Sequence, residues 1–237
     1  TKHRRFLVEG PQGVREAVRH APGRVLDVYL TEEALERHGE IWDEAVAAGL
    51  YVHVTTQQVM DAMSPDAQGL LAVVATEEVT GSEALAAALE GARLVAVLTQ
   101  AQDPGNAGTI IRAADAAGAD AVVLVRGSVD PTAPKVVRST AGSLFHLPVV
   151  TGVALDDAVT ALHNAGLTVL AADGRGDFDL FEAESLLGAP SAWLLGNEAH
   201  GLPLEALSRA DAVVSIPIYG KAESLNVAAA AAVCLYA

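Results

Sequence analysis

The 237-residue chain predicts an α/β protein in which a small α/β unit precedes a larger domain built on a parallel sheet. Three observations predict it. Strand-length apolar runs alternate with helical patterns along the whole sequence. From Arg93 onward those runs are apolar almost without interruption, as strands covered on both faces are. Between the halves, "EEVTGSEALAAALEGA" reads as a polar hinge and a short helix. The expected division is 1–78, a linker at 79–92, and 93–237. One large or two small domains also suit the length.

In the first part, "PQGVREAVRHA" places Val14, Ala17, Val18 and Ala21 on one helical stripe after a Pro-Gln-Gly start. "RVLDVYLT" reads as a strand, and "EEALERHGEIWDEAVAAG" as one helix closed by Gly49. "YVHVT" is a strand, "TQQVMDAM" a short helix with Thr56 as its cap, and "GLLAVVAT" the last strand of the unit. In the second part the strands are "LVAVLT", "DAVVLV", "LPVV", "LTVLAA", "SAWLLG" and "AVVSIPI". The helices between them include "AGTIIRAADAAGA", "LDDAVTALHNAG" and "LPLEALSRA", and an alanine-rich helix follows the final strand.

Composition narrows the class. The chain is 51% hydrophobic and 19% charged, enough apolar material for a buried core, yet no apolar run suits a membrane span. "TKHRRFLVEGPQG" has basic residues without an apolar signal core, so no export signal is expected. The single cysteine, Cys234, excludes an internal disulfide and a cysteine-based zinc cluster, and it reads as a small apolar residue of the last helix. A cytoplasmic protein fits. The net charge of −15 speaks against a broad electrostatic grip on nucleic acid. A local basic face remains open near the start, where Lys2, Arg4, Arg5, Arg15, Arg19 and Arg24 outweigh Glu9 and Glu16. No metal-ligand cluster is legible.

Ligands of parallel α/β sheets bind beyond the carboxyl ends of the strands, and three polar stretches occupy such places. After Leu94 to Thr99 come Asp103, Asn106 and Gly108, and then a helix carrying Arg112; Asn106 can bond to the loop or cap the helix. "WLLGNEAHGL" brings Gly196, Asn197, Glu198 and Gly201 to the end of a buried strand, with His200 a loop residue to which no role is assigned. Strand Val213 to Ile218 leads into Gly220, Lys221, Glu223, Ser224 and Asn226, with Ser224 placed to cap the last helix and Asn226 in its first turn. A glycine-rich dinucleotide loop is lacking, which opposes a Rossmann enzyme.

In their order, "DPGNAGTIIRAADAAGAD", "LLGNEAHGL" and "IPIYGKAESLNVAAAAAVCLY" resemble motifs one, two and three of the SpoU (TrmH-like) RNA ribose 2′-O-methyltransferases of the SPOUT superfamily. The match spans about residues 94–237. "FLVEGPQGVREAV" and "AQGLLAVV" are similar to the small RNA-binding domain that many members carry, although Ala67 stands where many have His before Gln-Gly. The resemblance implies S-adenosylmethionine as cofactor, no metal, a C-terminal trefoil knot, and a homodimer with the active site near the subunit interface. It implies a ribose 2′-hydroxyl of RNA as acceptor, most naturally in the large ribosomal subunit. A transfer-RNA or resistance methyltransferase and a non-enzymatic ribosome-assembly factor remain the alternatives.

Carried over by position, Asn106, Arg112, Glu198, Ser224 and Asn226 match the family's functional polar residues. Thr140, Ala141 and Gly142, with Leu195, Gly196, Asn197, Gly201, Ile216, Pro217, Ser224 and Leu225, match its cofactor pocket. Arg4, Arg5, Arg15, Arg19, Lys135 and Arg138 are the expected RNA contacts. Family proposals make Arg112 a proton acceptor. A guanidinium with a pKa above about 12 suits orienting a phosphate and stabilising an alkoxide better.

Overall fold

A computed structural model describes residues 4–77, 79–197 and 201–237. They fall into two units, Thr1–Glu78 with Asp130–His146, and Val79–Val129 with Leu147–Ala237.

The first unit begins with β1 (Arg5–Glu9), α1 (Pro11–His20), β2 (Val25–Thr31), α2 (Glu32–Arg37) and α3 (Gly39–Ala47), and continues with β3 (Tyr51–Thr55), α4 (Gln57–Met63) and β4 (Leu70–Ala75). The sheet order is β1-β4-β2-β3, with β4 antiparallel to both neighbours and β2 parallel to β3. Strand β1 was not legible beside its basic flank. One face of the sheet, including Val8, Val28, Leu30 and Leu70, buries Val14, Ala17 and Val18 of α1 and Ile41 and Ala45 of α3. Ala21, the fourth residue of the expected stripe, instead ends α1 as its C-cap.

The single helix expected before Gly49 is two. His38 leaves helical geometry at φ −131° and ψ 39°, and its N–H donates to the Ala34 carbonyl. Gly39 then opens α3; a glycine has little helical preference with which to hold the two turns in line. Thr31 caps α2 by accepting from Ala34 N at 3.1 Å. Thr56 caps α4 as expected, accepting from Val59 N.

The second unit runs α5 (Gly81–Ala88), β5 (Leu94–Leu98), α6 (Pro104–Ala116) and β6 (Ala121–Leu124). The chain then leaves it for α7 (Pro134–Thr140), which belongs to the first unit. It returns through β7 (Val149–Val150), α8 (Leu155–Asn164), β8 (Thr168–Ala172), β9 (Phe178–Asp179) and α9 (Glu184–Leu187). Then follow β10 (Ser191–Leu195), α10 (Leu204–Arg209), β11 (Ala212–Ser215) and α11 (Val227–Tyr236). The seven strands are all parallel, in the order β7-β6-β5-β10-β8-β11-β9. All five residues of central β10 are buried, as its unbroken apolar run predicts. Strand β11 stops at Ser215, short of the expected Ile218, because Pro217 has no N–H to continue the ladder. Cys234 is buried in α11, and burial pushes its thiol up to about 12.

The segment Asp130–His146 departs from the expected continuous domain over 93–237. Helix α7 packs on β1, Val137 joins the first unit's core, and Arg138 pairs with Glu9 and, at 3.1 Å, with Asp66. Local periodicity cannot reveal this, because the helix's partner strand, β1, lies far earlier in the chain.

Two aspartates fasten strand starts in the second unit. Asp120 Oδ2 accepts from Arg93 N at 2.7 Å and from Leu94 N at 3.0 Å. Asp211 Oδ2 accepts from Val169 N at 2.7 Å and meets His163 Nε2 at 3.1 Å. Among the described residues, no helix is long and apolar enough to cross a membrane. Asp120→Ala removes the shared acceptor and is expected to cost about 1–2 kcal/mol in urea unfolding. Asp120→Asn keeps a side-chain oxygen there and should recover most of that loss.

Candidate active site

The carboxyl ends of the adjacent strands β10, β8 and β11 open onto one cavity of about 510 Å³. Gly196 and Asn197 enter it after β10, Ala172 at the end of β8 with Asp173 and Gly174 after it, and Ile216 after β11. The segment from Glu223 to Val227 closes one side, and Asn106 comes from the first turn of α6. Val214, Ile216, Leu225 and Ala230 supply apolar wall.

Local chemistry sets the two asparagines. Asp103 caps α6 by accepting from Asn106 N at 2.8 Å, with Pro104 inside the helix start. Asn226, not Ser224, caps α11: its Oδ1 accepts from Ala228 N at 2.9 Å and from Ala229 N at 3.3 Å. The expected cap is displaced because the helix starts at Val227, two residues later than a Ser224 cap requires. The Asn226 Nδ2 group donates to Asn106 Oδ1 at 3.1 Å, joining the first and third motifs. Ser224 is exposed and lines the cavity.

At β10 a glycine is obligatory. A Cβ on Gly196 would stand 2.5 Å from the Gly201 carbonyl carbon. The chain folds back there: Asn197 N donates to Gly201 O at 3.0 Å, and Gly201 N to Asn197 O at 2.8 Å. Asn197 Nδ2 donates to the carbonyl of Gln100 at 2.9 Å. Gln100 has φ +55°, a left-handed conformation that a non-glycine residue rarely adopts and that clusters at functional sites. On the β8 side, hydrogen bonds from Arg175 hold the Asp173 carboxyl below the usual aspartate range, so the lining keeps a negative charge at neutral pH. Asp173 was missed from the sequence. The signal was available, since the residue directly follows an apolar strand, as the other motif residues do.

Of the expected site residues, Asn106, Gly196, Asn197, Gly201, Ile216, Ser224, Leu225 and Asn226 line the cavity. Leu195 is buried in β10, and Pro217 lies between two lining residues without lining it. Glu198 lies outside the described residues. Arg112 is exposed on α6, away from the cavity lining. Thr140, Ala141 and Gly142 do not line the cavity; they pack inside the first unit. Thr140 is buried, its hydroxyl donating to Val137 O at 2.7 Å, and a Cβ on Gly142 would meet Glu16 Cγ at 2.4 Å.

Three of the expected RNA contacts are engaged by carboxylates. Arg15 reaches Glu40 at 2.6 Å, and Arg19 clasps Glu44 through two bonds at 2.7 and 2.6 Å. The Arg19 hydrogen bonds hold the Glu44 carboxyl below its ordinary range. Arg138 is held by Glu9 and Asp66. Arg4 has a left-handed φ of +51° beside the exposed Arg5, and Lys135 lies at the start of α7.

Comparison with known proteins fixes the family. The model for the SpoU rRNA methylase family matches residues 93–236, and that for RNA 2′-O ribose methyltransferase substrate binding matches residues 7–80. The chain belongs to the SpoU rRNA methylase family. A Bacillus subtilis relative, 23S rRNA (guanosine(2553)-2′-O)-methyltransferase RlmP, is 35% identical over 241 residues, spanning 100% of this chain and 89% of the relative. The 23S rRNA (uridine(2479)-2′-O)-methyltransferase of Streptomyces viridochromogenes is 34% identical over 250 residues, 100% of this chain and 83% of the relative. The crystal structure of the SpoU methyltransferase AviRb from the same organism, in complex with AdoMet, superposes with a TM-score of 0.82 at 30% identity, covering 99% of this chain and 89% of that one. This SpoU-family chain is thus an RNA methyltransferase that uses S-adenosylmethionine.

The double role of Asn226 can be separated. Asn226→Ala removes the α11 cap and is expected to lower stability by about 0.5–2 kcal/mol. Asn226→Asp keeps the capping oxygen and should unfold near the parent's urea midpoint, yet it loses the donor to Asn106 and should lose cofactor affinity with the Ala variant. Parent-like affinity in Asn226→Asp, measured by calorimetry, would show that the Asn226–Asn106 bond does not shape the site.

Proposed function

We propose that the chain transfers the methyl group of S-adenosylmethionine to a ribose 2′-hydroxyl of large-subunit ribosomal RNA, as a cytoplasmic homodimer. The observation that carries this reading is that residues from all three motifs line one cavity at the ends of three adjacent parallel strands. Relatives named as 23S rRNA 2′-O-methyltransferases over nearly the whole chain support the acceptor class.

The cavity suits the cofactor. Its volume lies within the range of about 300–1,000 Å³ usual for small-molecule sites. Backbone at Gly196 and Ile216, with Leu225, can hold adenosine, whose base carries no charge to neutralise and is recognised by hydrogen bonds and packing. The Asp173 carboxylate, paired with Arg175, can also accept a hydrogen bond from the ammonium of the methionine part. Gly196 admits the cofactor to bare backbone where a side chain would already collide. When bound, the sulfonium supplies an activated methyl and a good leaving group.

The protein's tasks are then alignment and charge. Asn106, Glu198, Ser224 and Asn226 provide hydrogen-bonding groups around the acceptor hydroxyl, holding it in line with the methyl group. Arg112 orients the adjoining phosphate and stabilises the alkoxide that forms as the hydroxyl proton passes to water and the methyl group moves from sulfur to oxygen. Because Arg112 does not line its own chain's cavity, we assign it to the partner's cavity across the dimer interface. The small-faced α11, with exposed Tyr236, and the exposed Tyr219 supply surface for that interface. The trefoil knot is supported by the strand order, since the chain passes from β8 to β9, returns to place β10 between β5 and β8, and crosses again to β11. The first unit binds RNA through a limited surface around Arg4 and Arg5. Arg15, Arg19, Lys135 and Arg138 contribute where phosphate displaces their present partners.

Labelled methyl should pass from S-adenosylmethionine to unmodified 23S RNA or its precursor particle and survive alkaline digestion in dinucleotides, because a methylated 2′-hydroxyl cannot attack the next phosphate. Arg112→Ala should lower that transfer by at least about 100-fold with cofactor affinity nearly unchanged. Label in mononucleotides would mean base methylation, and normal turnover in Arg112→Ala would remove that residue from the mechanism.

A further inference from the structure

Outside the cavity, the sequence shows no metal-ligand cluster, but the fold builds one. Glu16 and His20 lie one turn apart on α1, and His146 closes the 3-10 turn Ser143–Phe145 that follows α7. Their ligand atoms all lie within 4.8 Å of one another. The grouping is illegible in the sequence because His146 comes from the far end of the chain segment that completes the first unit.

We propose that Glu16, His20 and His146 form a binding site for a divalent transition-metal ion of the zinc class. Two imidazoles and one carboxylate are a donor set that such ions take readily. Ligand atoms about 2.0–2.2 Å from a tetrahedral ion stand about 3.3 Å apart. Glu16 Oε2 is 3.2 Å from His20 Nε2 and 3.0 Å from His146 Nε2, close to that spacing. The two imidazole rings stand edge to face, with centroids 4.5 Å apart and planes at 68°, and their ligand nitrogens lie within 4.8 Å of each other.

The carboxylate is held ready. Gly142 presses on the Glu16 side chain so closely that a Cβ there would collide with it, and that side chain is 19% exposed. His20, 49% exposed, leaves a path for the ion to enter and a fourth position for water. Bound there, the ion would clasp the last turn of α1 to the segment carrying Thr140, Ala141 and Gly142. This inference does not depend on the methyl-transfer reading, since no ligand of the ion lines the cavity.

The test uses the full chain carrying no polyhistidine tag, freed of metal by chelation and titrated with zinc chloride by calorimetry. One ion should bind with a Kd at or below about 100 µM, raise the melting temperature by mass action, and bind at least about ten-fold more weakly to His146→Ala. Cobalt(II) should give a visible absorption band of tetrahedral coordination that is lost in the same variant. Should His146→Ala fail to match the parent's melting temperature in chelator, His20→Ala, at a half-exposed position, makes the same comparison. A Kd weaker than about 100 µM, or zinc affinity unchanged when His20 and His146 are both replaced by alanine, overturns the proposal.

Discussion

The side chain of Asn226 joins the site to the fold. Its oxygen satisfies two N–H groups at the start of α11, and its amide donates to Asn106 on α6. Helices α6 and α11 also pack along their lengths, and the Tyr236 hydroxyl donates to Ala116 O at 2.9 Å. The two helices are therefore fixed at both ends of their contact. Without the first of these ties, the segment from Glu223 to Val227 has little to hold it, since most of its residues are exposed. The cavity wall is thus as well placed as one hydrogen-bonded cap.

The parallel sheet explains why the cavity lies where it does. Strands β10, β8 and β11 are neighbours in space although their order in the chain differs, so three loops distant in sequence open side by side. Ligands of parallel sheets bind beyond such strand ends, where the loops diverge. Gly196 and the Asn197–Gly201 pairing bring one loop back over its own strand. The result is a pocket with an apolar wall and a few hydrogen-bonding groups, suited to a cofactor recognised more by shape and hydrogen bonds than by charge. Against this, the protein's net charge of −15 confines contact with an RNA backbone to a small area.

Much of this was legible in the sequence, and for identifiable reasons. Unbroken apolar runs announced the strands of the second unit, and the strand-end rule placed Asn106, Gly196, Ser224 and Asn226 around one cavity. The same rule points to Asp173, which directly follows β8 at a fourth strand end. What escaped depends on partners remote in the chain. Helix α7 finds β1, Thr140 and Gly142 are packed inside the first unit, and Arg15, Arg19 and Arg138 meet carboxylates, all through contacts that no local pattern encodes. The α11 cap moved from Ser224 to Asn226 because both residue types cap helices and only the true start of the helix decides between them.

The central claim is that the ends of β8, β10 and β11 hold the methyl donor. Amide hydrogen exchange with and without S-adenosylmethionine tests it most directly. Protection concentrated at residues 172–174, 195–202 and 216–227 is the predicted result. Cofactor binding that leaves those three segments unprotected while slowing exchange elsewhere would contradict the account.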